Sequence, residues 1–285
     1  DMRKSNPYLR VLGMTATPYR LGEGFIYEID HFDKIVTAVK NPYYKKLLYK
    51  VTEPELVELG FLTPPLIGGD IESYDTSNLQ MKGGKFTHES VMQTFEGHGR
   101  LTSQIVADVV QRSYGRNGVM FFGASIEHCH EIMASLPPDH TKFIYGETPK
   151  EERKKIIDDF KAQKIRYLVS KDVLTTGFDA PHVDVIAILR ATESHALFTQ
   201  VRGRGARLYE GKENYLLLDY GNNIDRLYPD GDIYNPTIDI PAPEREANPV
   251  TVLCPECNKE NECSMLPNDE QFEIDAHGYF IDLDG

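Results

Sequence analysis

From about residue 100 onwards the chain alternates between short apolar runs and longer segments in which apolar residues recur every three or four positions. Short apolar runs predict buried strands, and the helical periodicity between them predicts helices that cover the strands. The predicted strands are residues 118–122, 141–145, 166–169, 183–189 and 214–219. Because strands that alternate with helices form parallel sheets covered on both faces, the pattern predicts an α/β fold.

The helical segments begin at recognisable capping residues, whose side chains accept hydrogen bonds from the first free amides of a helix. The first predicted helix is residues 101–113, and the second is capped by Ser125 and ends before Pro137. The third opens at the capping box Thr148-Pro149-Lys150-Glu151 and ends near Gln163. The fourth is capped by Ser194. In open parallel sheets, ligands bind beyond the carboxyl ends of the strands, so we expect the functional side chains at that edge.

The first hundred residues are less regular. The run from Leu9 to Met14 predicts a buried strand that leads into a polar turn. Residues 54–60 predict a short helix, with proline inside its start and glycine past its end. Residues 62–65, with two prolines, predict a hinge or linker, and residues 68–85 predict a loop.

Length and composition fit one full α/β domain with smaller pieces, since the chain has 285 residues of which 40% are hydrophobic. A net charge of −13 argues against a uniformly basic nucleic-acid coat, so any nucleic-acid contact is expected to be local.

The sequence has no apolar run near the ~20 residues that a membrane-spanning helix needs, so no membrane partner is expected. The start at Asp1 without a signal peptide predicts a piece of a longer protein. Cys129 is expected to be a small core residue, and the four cysteines fit a reducing cytoplasm.

The segment from Gln200 to Arg207 has the form Q-x-x-G-R-x-x-R. Its spacings of three and four predict that Gln200, Arg204 and Arg207 share one helix face. Arginine suits phosphate binding because its planar fork stays charged and binds oxygens in pairs. A basic surface helix is the alternative that the run by itself leaves open.

Three further segments follow predicted strands, and each also has an ordinary structural explanation. Thr15-Ala16-Thr17-Pro18 is a capped turn or a phosphate contact. Phe122-Gly123-Ala124-Ser125 is an ordinary helix cap or an anion site at a helix start. Residues 175–181, with sequence T-T-G-F-D-A-P, are a loop with a structural aspartate or a ligand loop in which glycine allows close approach.

The order of the four segments, T-A-T-P, F-x-A-S, T-T-G-F-D-A-P and Q-x-x-G-R-x-x-R, resembles motifs III to VI of the superfamily-two DEAD/DEAH-like helicases. The segments 60–65, 173–184 and 254–257 resemble the RadD family of bacterial DNA-repair ATPases in particular. The resemblance extends over nearly the whole chain.

The resemblance implies two RecA-like domains that clamp ATP and Mg²⁺ between them and hold single-stranded nucleic acid across their top. It divides the chain into residues 1–62, the C-terminal remnant of the first RecA-like domain with a linker; residues 63–228, the second RecA-like domain; residues 229–249, a linker; and residues 250–285, a partial zinc-binding segment. Single-stranded or branched DNA, the N-terminal RecA-like domain of the same chain and a single-strand-binding protein are the implied partners.

The resemblance also implies roles for individual residues. Arg204 and Arg207 would face the triphosphate, one of them as an arginine finger, and Gln200 would orient the γ-phosphate or the attacking water. Residues implied in ATP binding or in coupling are Thr15, Thr17, Gly177, Asp179 and Gly203. Residues implied in binding the nucleic-acid backbone are Ser125, Thr175 and Thr176.

The 285 residues contain no G-x-x-x-x-G-K-[ST] phosphate loop and no D-E-x-H segment. The chain alone is therefore expected to be inactive, and its arginines are expected to complete a site whose other half lies in the N-terminal domain. An interaction module that has lost the motor, and an RNA-directed or restriction-type member of the same superfamily, remain open alternatives.

Cys254 and Cys257 form a C-x-x-C pair, which is half of a tetrahedral zinc site. Cys263 and His277 are the nearest further ligands, and RadD-like proteins place the partner cysteines later in the chain. The alternatives are a Zn²⁺ site completed in the parent protein and a reduced cysteine pair in a tail.

Overall fold

Helices and strands alternate along the chain from residue 88 onwards. The computed structural model describes residues 6, 8–20, 23–68, 72–82, 85–171 and 178–234, and the backbone of four short strands after residue 248. The strands of the first part are β1 (Tyr19–Arg20), β2 (Gly24–Phe25), β3 (Tyr27–Ile29), β4 (Tyr44–Lys46), β5 (Pro65–Ile67), β6 (Met81–Lys82), β7 (Lys85–Phe86), β8 (Gly118–Gly123), β9 (Thr141–Ile144), β10 (Tyr167–Ser170), β11 (Val183–Leu189) and β12 (Tyr215–Asp219). The α-helices are α1 (Glu53–Glu58), α2 (His88–Phe95), α3 (Gly99–Arg112), α4 (Ile126–Ala134), α5 (Lys150–Lys161), α6 (His195–Arg202) and α7 (Asn223–Leu227).

Six of these strands form one parallel sheet in the order β5-β12-β11-β8-β10-β9. The chain leaves the central strand β8 for the edge strand β9, returns through β10, and crosses β8 to reach β11. This crossing is the switch point of the sheet, where neighbouring connections leave in opposite directions. The five strands predicted from the sequence are all present in the sheet.

Two hydrophobic clusters cover the two faces of the sheet. Along β8 the buried side chains alternate, so that Val119 and Phe121 join one cluster and Met120 and Phe122 the other. One face is covered by α3 and α4, and Cys129 lies buried there as predicted. The other face is covered by α5 and α6. Helices on both faces of a parallel sheet confirm the predicted fold class.

The N-terminal segment corrects one prediction. Leu9 to Met14 form no strand, and Leu12 and Met14 are 75% and 94% exposed. An apolar run becomes a buried strand only where neighbouring strands satisfy its amides and carbonyls, and the described residues offer it no such neighbour.

Residues 62–65 are not the predicted hinge. Pro65 opens β5, which pairs with β12 at the edge of the large sheet, and Thr63 is buried. An edge strand accepts proline at its first position because the missing amide interrupts no ladder. The predicted loop 68–85 is also more ordered than expected, since it contains β6 and supplies the core residue Tyr74.

Helix starts follow the sequence signals with one exception. Ser125 and Ser194 each accept a hydrogen bond from a first-turn amide, and Thr52 forms a full capping box with Glu55. Thr148, in contrast, does not cap α5: its hydroxyl accepts from the Tyr145 amide in the turn before the helix. The proline at position 149 sets the start of α5 without a side-chain cap.

The chain divides into two compact units, Asp1–Asp239 and Ile240–Gly285. The second unit contains two antiparallel strand pairs, β13 (Pro249–Leu253) with β14 (Glu260–Ser264) and β15 (Glu273–Ile274) with β16 (Phe280–Ile281). Among the residues that the structure describes, no helix has the length and apolar character to cross a bilayer.

Candidate functional site

The arginine segment leaves helix α6 before its functional residues. The helix ends at Arg202 with Gly203 as its C-cap, so only Gln200 of the three candidate side chains is helical. Arg204 and Arg207 lie in the turn that follows, and the prediction of one shared helix face is wrong. Glycine is a poor helix former, and two glycines within three residues end the helix here. We call residues 202–207 the arginine turn.

The guanidinium groups of Arg204 and Arg207 meet at one backbone oxygen. Arg204 Nη1 donates to the Phe178 carbonyl at 2.6 Å, and Arg207 Nη1 donates to the same oxygen at 2.7 Å. Arg207 also forms an ion pair of 2.6 Å with the exposed carboxylate of Asp179. The predicted residues Arg204, Arg207 and Asp179 are therefore brought together.

Arg204 is the more deeply placed of the two arginines, at 8% exposure. Burial, and then the neighbouring charge of Arg207, lower the pKa of Arg204, while Asp179 acts in the opposite direction. Two cations that share one neutral carbonyl attract an anion more strongly than either does alone, because their fields add in a partly desolvated position.

The arginine turn lies at the amino edge of the sheet rather than at the predicted carboxyl edge. Lys212 Nζ donates to the carbonyls of Arg207 and Val183 at 2.8 and 2.6 Å, and Val183 is the first residue of β11. The physical reason is the direction of α6, which follows β11 and runs back toward the start of β12. Burial lowers the pKa of Lys212 to about 8.

Ser125 lies at the opposite, carboxyl edge, directly after β8. Its hydroxyl accepts from His128 N at 3.0 Å at the start of α4. Behind it, Ala124 N donates to His128 Nδ1 at 3.3 Å, and His128 Nε2 and Tyr74 Oη lie 2.8 Å apart. His128 is fully buried, and burial lowers its pKa to about 3. The turn that carries Ser125 is thus fixed from inside the domain.

A second buried network at the carboxyl edge was not predicted. Asn223 Oδ1 accepts from Thr192 N at 2.7 Å and from Arg226 Nη2 at 2.7 Å, and its Nδ2 donates to Asp219 Oδ1 at 2.7 Å. Asn223 is fully buried, and burial raises the pKa of Asp219. The network fixes the loop before α6. The sequence signal for this network is the pair Asn222-Asn223, which follows strand β12.

Two other predicted residues, Thr15 and Gln200, are exposed. Thr15 Oγ1 accepts a local hydrogen bond from Thr17 N at 3.1 Å, and within the described part of the chain neither residue hydrogen-bonds to the arginine pair. Thr175, Thr176, Gly177, Cys254 and Cys257 lie outside the described residues. Among the residues that are described, no group of three or more His, Cys, Asp or Glu side chains could hold a metal ion.

Arg202 is a further functional candidate in the arginine turn, and the spacing of the motif does not predict it. It is 3% exposed, and its Nη1 lies 2.6 Å from Glu53 Oε1. The signal for it was a third arginine within the same short run.

Comparison with known proteins matches residues 100–209 to the family described as "Helicase conserved C-terminal domain". The "Putative mitochondrial ATP-dependent helicase irc3" of Schizosaccharomyces pombe is 28% identical over 226 residues, which are 77% of this chain and 34% of that protein. A "51.5 kDa protein" of a Lactococcus phage is 26% identical over 212 residues, 73% of this chain and 42% of that protein. The chain thus spans well under half the length of these curated relatives.

A solved fragment of "a putative HsdR subunit of a type I restriction enzyme" from Vibrio vulnificus YJ016 has the same fold. It superimposes with a TM-score of 0.51 at 22% sequence identity and covers 69% of this chain and 38% of that one. This likeness and the match of residues 100–209 support a RecA-like α/β fold for the six-stranded sheet.

Proposed function

We propose that this chain, whose residues 100–209 match the helicase conserved C-terminal domain, is part of an ATP-driven DNA translocase or helicase of superfamily two and of the RadD type, which acts in DNA repair in the cytoplasm. The observation that carries the proposal is the meeting of Arg204 and Arg207 at the Phe178 carbonyl. A pair of convergent guanidinium groups, of which Arg207 is partly exposed, suits the γ-phosphate of a nucleotide held by another domain.

Phosphoryl transfer builds negative charge on the transferred group, and a cation positioned there accelerates the reaction by ~10³–10⁵-fold. Arg207, which shares its charge with the exposed Asp179, can exchange that partner for a phosphate oxygen. Arg204 is more buried and therefore better suited to hold the geometry of the pair. ATP and Mg²⁺ would be held mainly by the phosphate loop of the other domain, since this sequence has none.

The N-terminal segment supports a covering domain in the parent protein. Many of its large apolar side chains are exposed, namely Tyr8, Leu12, Met14, Phe32, Ile35, Leu48, Tyr49, Leu59 and Phe61, at 64–94%. Single exposed apolar residues are normal, but such a density within about fifty residues is typical of a surface that another domain or partner covers.

Nucleic acid would bind at the carboxyl edge, where Ser125 begins α4. Backbone amides and a hydroxyl at a helix start suit phosphate groups but carry no information on sequence or sugar. We propose that the protein prefers single-stranded or branched DNA to RNA. We also propose that a single-strand-binding protein recruits it.

Zinc binding in the tail is proposed on the sequence alone. Cys254 and Cys257 would supply two thiolates, and residues of the parent protein the rest. Metal analysis of the full-length protein and of a Cys254→Ser/Cys257→Ser variant should find one zinc per chain only in the former, and equal contents would contradict the assignment.

The decisive experiment measures ATP hydrolysis by the full-length protein with single-stranded DNA, branched DNA or RNA. Arg207→Ala should lower kcat by at least about 10³-fold, because Arg207 is the cation that reaches the phosphate. Arg112→Ala, which alters a helix α3 arginine paired with Asp108 away from the site, is the control. Unchanged hydrolysis in Arg207→Ala would contradict the proposed role, and stimulation by RNA but not DNA would favour the RNA-directed alternative.

A further inference from the structure

The arginine turn is held at its start by a segment that lies far away in sequence. Arg202 and Glu53 are 149 positions apart, and their side chains form an ion pair of 2.6 Å. Glu53 is the first residue of α1. We call residues 53–64 the clamp segment.

The clamp segment also holds the end of the turn. Thr63 N donates to Ala206 O at 2.7 Å, and Thr63 Oγ1 donates to Arg207 O at 3.2 Å. The next residue, Pro64, accepts from Tyr215 N at 3.0 Å, which joins the clamp segment to the sheet.

We propose that the clamp segment positions Arg204 and Arg207 for the nucleotide, with Glu53 and Thr63 as its two positioning residues. The inference rests on the proposed function and deepens it, because it names the part of this chain that sets the geometry of the arginines. It also connects the arginines to the N-terminal segment, because Glu53 lies in α1.

The Arg202 guanidinium is fixed in one position by contacts on several sides. Arg202 Nη2 donates to Ile233 O at 3.2 Å, and its guanidinium lies 5.4 Å from the Tyr234 ring centre. Burial disfavours the charge of Arg202, but the interactions with Glu53, Tyr215 and Tyr228 together outweigh this effect and raise the pKa of the arginine. A buried cation with one carboxylate partner has few alternative positions, because each of them leaves a charge unpaired.

Local hydrogen bonds hold the start of α1, where Glu53 lies. Thr52 and Glu55 form a capping box at its start, and Pro54 occupies its first turn. A helix fixed in this way keeps Glu53 in place, so that the two arginines between the clamped ends have little freedom. Displacement of a catalytic group by about 1 Å can cost about 100-fold in rate.

The test uses the full-length protein and three variants. Glu53→Gln keeps the shape of the side chain and removes its charge, and Thr63→Val removes only the hydroxyl bond. Glu58→Gln makes the same chemical change at an exposed position of the same helix and is the control. We expect kcat to fall roughly 10- to 100-fold in Glu53→Gln and about 3- to 10-fold in Thr63→Val. The KM for ATP should change less than about threefold, because the arginines act on the transition state.

A second readout separates this inference from the proposed function. The amides of Arg204 and Gly205 donate to Val201 O and Arg202 O, so their hydrogen exchange reports on the turn itself. Glu53→Gln should speed their exchange about tenfold whether or not the protein hydrolyses ATP. Absence of hydrolysis in the wild type would overturn the proposed function alone. Two results would contradict the role of the clamp segment. One is an unchanged amide hydrogen exchange rate in Glu53→Gln, and the other is a kcat within about twofold of wild type in both Glu53→Gln and Thr63→Val.

Discussion

His128 is a buried histidine whose tautomer follows from its hydrogen bonds. Its Nδ1 accepts from Ala124 N, so the ring proton lies on Nε2 and faces Tyr74 Oη. Tyr74 Oη also lies 3.0 Å from Thr102 Oγ1, which donates to the Glu131 carboxylate at 3.2 Å. This direction of donation requires a neutral ring, because a protonated imidazole could not accept the Ala124 amide.

The neutral ring predicts a pH dependence of stability. Burial, and then the charge of His98, lower the pKa of His128 from 6.5 to about 3. Between these values the unfolded chain binds a proton that the folded chain does not, so stability must fall as the pH falls below about 6.5. One such proton contributes a slope of up to about 1.4 kcal/mol per pH unit. His128→Asn should lose this slope in urea unfolding series between pH 7 and pH 4.5.

The control for this series is His130→Asn, which replaces an exposed histidine of the same helix. It should retain the wild-type slope. Equal slopes in wild type and His128→Asn would show that the ring titrates alike in the folded and unfolded chains. The comparison uses slopes because His128→Asn also lowers stability at every pH by disturbing the Tyr74 contact.

At the level of single elements, the arginine turn owes its shape to Gly205. A methyl group placed on Gly205 would lie 2.3 Å from the Tyr215 ring, which begins β12 in the core. Gly205→Ala should therefore lower the free energy of unfolding by about 1–3 kcal/mol, as overpacking does. Gly99→Ala, at the start of α3 with open space around it, should be neutral or stabilising by up to about 1 kcal/mol. Equal stabilities in a chemical unfolding experiment would contradict the close approach.

Elements whose sequence signal is local were predicted, and those that depend on distant partners were not. The strand from Val183 to Leu189 was predicted with its observed bounds, because a continuous apolar run is its own signal. Leu9 to Met14 carries the same signal and forms no strand, because pairing is a property of neighbours. The site follows the same rule: the arginines were identifiable from their motif, whereas Glu53 was not, since 149 positions separate it from Arg202.

For the molecule as a whole, these long-range contacts bear on where the folded domain begins. The family resemblance places the start of the second domain at residue 63. The structure gives the arginine turn one partner before that position, Glu53, and one partner at it, Thr63. A domain boundary lies where few contacts cross, and the ion pair of Arg202 crosses this one.

Truncation tests the boundary directly. A chain of residues 52–239 keeps α1 with its capping threonine, whereas residues 63–239 lack both. The longer chain should be more stable by about 1–3 kcal/mol, which is the contribution expected of a charged hydrogen bond. Urea unfolding midpoints measure the difference. Glu53→Gln in the longer chain should move its midpoint part of the way toward that of the shorter one. If the two truncated chains unfold at the same urea concentration, α1 does not belong to the folded domain, and Glu53 then does not position the arginines.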